Sequence, residues 1–269
     1  MTQILAQVAT HTAALVLYPG LLTIVLFGSA AESAWVYVTD RRWASLRQLW
    51  RRPSAVQSTV VIASMLASVQ LSAPFNPVPS EERNLIIASI SIGLIVWTEL
   101  ALGLERFRER GLLLVVQCAW LVAVLGPAVE LQSLRPPVLG AVLVLSLLPL
   151  KVAAGILYLL CLPALLKVWP IPAVGERRGQ RRLDATRVLA WWPSCGLFAT
   201  LWFPPSSDDV LGVARFLGLV VAAAAFCVIA GVLLGRRGAE PARDLYRKVI
   251  APFGGVVLAT VIVTSLLVR

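Results

Sequence analysis

Apolar residues in this chain come in long runs separated by short polar segments. Eight runs stand out, at roughly 13–38, 55–73, 84–104, 111–129, 138–166, 186–203, 209–234 and 249–268. Each is long enough to cross the ~30 Å hydrocarbon core of a bilayer. Each is expected to be a helix, because a helix satisfies its own backbone hydrogen bonds in lipid. The runs are also too long and too apolar for barrel strands. The pattern therefore predicts an all-α, polytopic membrane protein with eight transmembrane helices. It forms a single transmembrane domain over residues 1–269, since no polar stretch is long enough to build a second core.

Composition agrees with this picture. Of 269 residues, 58% are hydrophobic and 14% charged, against about 25% charged in soluble domains. The first run lacks a basic segment ahead of it, so it does not resemble a cleaved signal. The net charge of +10 does not point to nucleic acid, because the charges sit in short loops between apolar runs.

The loops orient the chain. Arg41, Arg42, Arg47, Arg51 and Arg52 follow the first run; Arg106, Arg108 and Arg110 follow the third. Lys167, Arg177, Arg178, Arg181, Arg182 and the marginal Arg187 follow the fifth; Arg236, Arg237, Arg243, Arg247 and Lys248 follow the seventh. Only Arg83, Arg135 and Arg269 fall on the other side. The positive-inside rule then places the four basic loops in the cytoplasm and both termini outside. Most Trp residues (Trp35, Trp43, Trp50, Trp97, Trp169, Trp191, Trp192, Trp202) fall near the expected interfaces and are assigned to an aromatic belt; Trp120 is mid-span and assigned to packing. Pro149 and Pro163 are expected to kink or tilt the long fifth span.

Ionisable residues inside a membrane are costly, and they are functional candidates by default. Four qualify: Glu32, Glu99, Lys151 and Arg215. Glu32 and Glu99 lie in the cytoplasmic halves of their spans. They either line a polar or proton-conducting lane, or snorkel or pair with loop arginines. Lys151 is the candidate for a buried functional charge, and Arg215 either serves a path or pairs with Asp208 or Asp209. Cys118, Cys161, Cys195 and Cys227 form no CxxC pair and read as small buried hydrophobes. His11 is the only histidine, so no His-based metal site is expected. The GxxxG at Gly231 and Gly235 suits close helix packing. No phosphate loop, Ser-His-Asp set or paired-carboxylate set is legible.

Two stretches carry a resemblance. Tyr18-Pro19-Gly20 lies in the first span, where an ordinary helix kink is the other account of it. Asp40-Arg41-Arg42 follows the span, with Gln48, Pro53 and Gln57 at set intervals beyond. In these residues the chain resembles the membrane subunit shared by respiratory complex I, as its subunit 1, and the membrane-bound energy-converting hydrogenases and formate hydrogenlyases. That family has eight core spans, both termini outside and its functional loops inside. Ile171-Pro172-Ala173-Val174-Gly175-Glu176 resembles the family's acidic motif after the fifth helix, but only Pro172 and Glu176 match. The family's glycine before proline is Arg52 here. The chain is identified as a divergent member.

The resemblance implies a membrane anchor subunit of a complex I-like or membrane-bound hydrogenase-like redox complex. Such a subunit docks a cytoplasmic electron-transfer arm and couples it to proton or sodium movement through antiporter-like membrane subunits, in the cell's inner (plasma) membrane. Asp40, Arg41, Gln48, Pro53, Gln57 and Glu176 would form the docking loops. No cofactor is expected in this chain. Iron–sulfur clusters, with a NiFe centre or a quinone as further candidates, belong in or near the partner subunits. The missing acidic residues put quinone reduction at this site in doubt. The rivals are a stand-alone permease, which would transport alone, and a structural membrane scaffold with no ion path.

Overall fold

The computed structural model describes residues 11–41, 55–102, 107–141, 147–168, 184–205, 208–237 and 239–267. Among them the chain is all-helical. A short helical segment at 11–16 precedes α1 (Leu21–Asp40). Next come α2 (Ala55–Val69), α3 (Leu85–Leu102), α4 (Phe107–Leu131) and the short α5 (Pro136–Ala141). They are followed by α6 (Leu148–Leu165), α7 (Ala185–Trp202), α8 (Val210–Arg237), α9 (Ala239–Leu245), a π turn (Tyr246–Ile250) and α10 (Ala251–Leu267). Among the described residues, five segments are long and apolar enough to cross a membrane: His11–Asp40, Gly111–Val129, Leu148–Leu165, Val210–Arg237 and Arg243–Leu266. Gln57–Val69 and Leu85–Thr98 are shorter apolar helices.

The bundle is built around α7. It packs against α1, α2, α3, α5, α6 and α8, and every residue from Val188 to Leu201 is buried. A helix enclosed on all sides sees neighbouring helices rather than lipid. It can therefore carry Ser194, Thr200 and two tryptophans where a lipid-facing helix needs aliphatic residues. Its own proline shows how strictly the interior satisfies backbone groups. Pro193 lacks the N–H that would bond to the Leu189 carbonyl, and the Ser64 hydroxyl of α2 donates to that oxygen instead. Tyr158 of α6 donates to the Ser194 carbonyl at 2.7 Å. It also packs with Trp202 and Phe198, at centroid distances of 5.1 and 5.7 Å.

Connections sort to the two ends of the bundle. At one end Asn84 N–H donates to Gln70 Oε1, Leu85 N–H to the Leu134 carbonyl, and Phe75 N–H to Asp208 Oδ1. His11 lies 3.5 Å from Glu82 at the same end. At the other end the C-terminus of α6 meets the start of α7 through Arg187, which bonds both to Lys167 and to Glu32 on α1.

Several expectations need correction. The first span is not one continuous helix: residues 17–20 break it at Tyr18-Pro19-Gly20, where the Tyr18–Pro19 bond is cis. A Cβ on Gly20 would collide with the Leu15 carbonyl. The fifth span is not one helix either. A straight helix would hold Leu139 and Lys151 about 18 Å apart, yet Lys151 Nζ donates to the Leu139 and Gly140 carbonyls, both at 2.9 Å. The start of α6 therefore lies nearer the end of α5 than a single straight helix would place it. Pro149 sits at the start of α6, where it costs no hydrogen bond, and only Pro163 lies inside the helix. Trp35, Trp191 and Trp192 are buried in the core rather than set in an interfacial belt, because their helix faces turn inward; Trp97 is exposed. Cys118 is exposed, whereas the other three cysteines are buried. Of the GxxxG pair, Gly231 packs tightly, with its Cβ position 2.7 Å from the Val168 carbonyl, while Gly235 is exposed.

The α1–α7 crossing depends on Gly28, whose added Cβ would overlap the Val188 carbonyl oxygen. Overpacking of this kind costs about 1–3 kcal/mol. Gly28→Ala is expected to lower the melting temperature of the detergent-solubilised protein by several degrees. Gly218→Ala, at a position with nothing within 4 Å, is expected to leave it unchanged or raise it. Equal melting temperatures for the two variants would remove Gly28 from this role.

Candidate functional site: a buried carboxylate clamp at one end of the bundle

Close approach of α1 to α7 at Gly28 fixes what happens one turn later. Residues four apart share a helix face, so Glu32 meets α7 beside Arg187, the neighbour of Val188. The Glu32 side chain is fully buried. Arg187 grips it with both arms of its guanidinium: Nε donates to Oε2 at 2.7 Å and Nη2 to Oε1 at 2.6 Å. Trp191 Nε1, one turn along α7, donates to Oε2 at 3.2 Å. The Asp184 amide N–H donates to Oε1 at 3.4 Å. Four N–H donors from three residues thus converge on one carboxylate. This is the planar, two-point recognition that arginine provides and lysine does not.

The clamp reaches further. Arg187 Nη1 donates to the Lys167 carbonyl at 3.1 Å, just past the end of α6. Asp184 caps α7, its carboxylate accepting from the amides of Thr186 and Arg187 at 3.0 and 3.4 Å. Lys167 takes a left-handed conformation (φ 52) that ends α6, and the Val168 N–H returns to the Pro163 carbonyl at 3.0 Å. Burial pushes the Lys167 ammonium down to about 8 from its ordinary 10.5. Arg187 adds to that shift and Asp184 opposes it. One cluster therefore joins α1 and the two chain ends that flank residues 169–183.

The other candidate residues lie apart from this cluster. Asp40 is the last, half-exposed residue of α1, and Arg41 caps that helix in a left-handed conformation (φ 55), donating its N–H to the Tyr37 carbonyl. Gln57 lies in the first turn of α2. Gln48, Pro53 and Glu176 lie outside the described residues, as does the side chain of Glu99 on α3. Lys151 stands in the first turn of α6, at the bundle end that carries Trp202, whose Nε1 donates to the Lys151 carbonyl at 2.7 Å. Its ammonium closes the C-terminal turn of α5, where a cation is favoured. Arg215 is exposed on α8. The aspartates expected to pair with it accept from backbone amides instead, Asp208 from Phe75 and Asp209 from Gly212. Among the described residues, no group of three or more His, Cys, Asp or Glu is placed to hold a metal.

Charge patterning alone assigned Arg187 to the loop margin and gave Asp184 and Trp191 no joint role. The available signal was an Asp three residues before an Arg at a helix start, next to a tryptophan pair.

These features define a multi-pass helical membrane protein with a charged clamp sealed at one end of its bundle. No family model and no curated protein matches the chain. Among solved structures, its fold is similar to that of a chain in the membrane-bound sulfane sulfur reductase (MBS), an archaeal respiratory membrane complex. The TM-score is 0.63 and the identity 12%, over 89% of this chain and 97% of that chain.

Removing one partner of a buried pair costs about 3–5 kcal/mol, whereas replacing both with apolar residues is often neutral. Glu32→Leu and Arg187→Met are each expected to lower the melting temperature sharply, and the double variant to recover most of the loss. Additive losses in this double-mutant cycle would argue that the two side chains do not act as a pair. Lys167 releases its proton at lower pH folded than unfolded, so the unfolded state binds more protons between about pH 8 and 10.5, and folding stability rises with pH there. Wild-type protein is expected to gain melting temperature relative to Lys167→Met as pH is raised from about 7 to about 10. A constant difference would count against the depressed value.

Proposed function

We propose that this chain is the membrane anchor subunit of a complex I-like or membrane-bound hydrogenase-like redox complex. It docks a cytoplasmic electron-transfer arm and couples that arm to proton or sodium movement through antiporter-like neighbours. The observation that carries the proposal is the end-to-end likeness in fold, over 97% of the matched chain, to part of an archaeal respiratory membrane complex. The resemblance of residues 18–57 to the complex I subunit 1 and hydrogenase membrane subunit family supports it independently, since that stretch is judged on spacing and not on fold.

In this proposal the chain crosses the membrane eight times with both termini outside. The sorting of connections to two ends of the bundle supports that arrangement, and so does the concentration of arginines in alternate loops. The docking residues are Asp40, Arg41, Gln48, Pro53, Gln57 and Glu176. A basic platform suits an acidic partner face, because complementary potentials steer encounter and fix orientation. Iron–sulfur clusters, and any NiFe centre or quinone, lie in or near the partner subunits. The matched pattern after α6 lacks the family's Asp and second Glu, which favours a platform over a quinone-reducing site.

Tagged protein purified from native membranes under mild detergent is expected to bring down iron–sulfur and hydrogenase-like or dehydrogenase-like subunits. Recovery of the chain alone would overturn the proposal.

A further inference from the structure

We propose that the groove between α8 and α10 binds an anionic phospholipid, with an acyl chain along α6 and the phosphate on Arg236, Arg237 and Arg247.

The groove follows from how the helices pack. α6 is flanked by two packed pairs, α4 with α10 and α7 with α8. It packs against all four helices, yet α8 and α10 hardly approach each other. Tyr158 turns the inward side of α6 to Trp120 of α4 and Phe198 of α7. Ile156 stands two residues earlier and therefore on the opposite side, with Val152 one turn before it. Both are exposed, on the side of α6 that lies between α8 and α10. The flanking helices are apolar as well: α8 exposes Ile229 and Leu233, and α10 exposes Val249 and Val256.

Charge closes one end of this groove. The Tyr246 hydroxyl donates to the Leu160 carbonyl at 3.0 Å, which seats the π turn on α6, and α9 bridges from there to α8. Two cations of this connection are already paired, Arg243 with Glu240 at 3.5 Å and Lys248 with Asp244 at 2.7 Å. Arg236, Arg237 and Arg247 are exposed and, among the described residues, meet no carboxylate. Their depth matches a headgroup. Residues 216–235 hold no charged side chain, and as a helix they rise about 30 Å, the thickness of a hydrocarbon core. Arg236 and Arg237 therefore stand where lipid phosphates lie. The uncharged run of α10 begins directly after Lys248, which sets Arg247 at the same level.

A guanidinium grips phosphate through two parallel hydrogen bonds. The positive-inside rule accounts for cations at this end, but not for an apolar groove that leads to them. A phospholipid fills the groove and neutralises the arginines together. A free phosphate leaves the groove unfilled, and a partner helix leaves the arginines unneutralised unless it brings acids to the same level.

The test uses the full chain, stripped of native lipid in a mild non-ionic detergent. Phosphatidylglycerol or phosphatidylcholine with the same acyl chains is added, and bound lipid is read by native mass spectrometry. Wild type is expected to bind phosphatidylglycerol at least about tenfold more tightly than phosphatidylcholine, since each surface cation contributes about fivefold. The Arg236→Gln/Arg237→Gln/Arg247→Gln variant is expected to lose that preference, and Lys248→Gln, whose cation is already paired, to keep it. Ile156→Trp obstructs the groove floor and is expected to weaken both lipids while leaving their ratio unchanged. All of these side chains are exposed, so each variant is expected to elute as a single species. Equal affinity for the two lipids, or a triple variant that keeps the preference, overturns the proposal. Displacement of phosphatidylglycerol by an excess of inorganic phosphate assigns the arginines to a free anion and overturns the lipid. Unaltered lipid binding by Ile156→Trp overturns the groove as the acyl-chain site. If that variant instead loses a neighbouring membrane subunit during purification from native membranes, a partner helix is the occupant.

Discussion

A carboxylate with no exposure to solvent has to be surrounded by donors, and in this protein that requirement shapes one whole end of the bundle. Glu32 cannot be reached by water, so its charge is met by Arg187, Trp191 and the Asp184 amide. Meeting it demands that α1 come close, which only a glycine at position 28 allows. It also demands that α7 begin where Asp184 caps it and that α6 end where Lys167 presents its carbonyl. Helix start, helix end and helix crossing are thus set by one buried charge. Moving any of them leaves a charged or polar group buried without a partner, where that is most costly.

The same rule acts on uncharged groups deeper in the bundle. The Leu189 carbonyl freed by Pro193 is taken by Ser64 of α2, and the Ser194 carbonyl by Tyr158 of α6. The central helix is consequently less apolar than its neighbours without being any less buried. In a soluble protein a helix so rich in polar groups and tryptophan would read as a surface or interface element. Enclosed by six other helical elements, it becomes the axis around which the lipid-facing helices stand.

The described interior contains a clamp, a capped break at Lys151 and close glycine crossings, and each of these fixes relative position. The clamp ties α1 to the end of α6 and the start of α7, the helix ends that flank residues 169–183.

The sequence by itself determined the class of protein, the helical character of the apolar runs and the gathering of basic residues into alternate loops. These follow from run length, from backbone hydrogen bonding in lipid and from charge counts, which are local or one-dimensional properties. It also singled out Glu32 as costly and named loop arginines as its possible partners. Only the tertiary structure decided that the partner is Arg187, because the two lie 155 positions apart and no periodicity links them. It decided as well that Lys151 bonds to the end of α5, that Asp208 and Asp209 serve backbone amides rather than Arg215, and that Trp35, Trp191 and Trp192 face the core. Each of these depends on which helix faces meet, and in a bundle where every face is apolar the pattern along the chain does not encode that choice. Steric fit at Gly28 and the need to satisfy buried polar groups do.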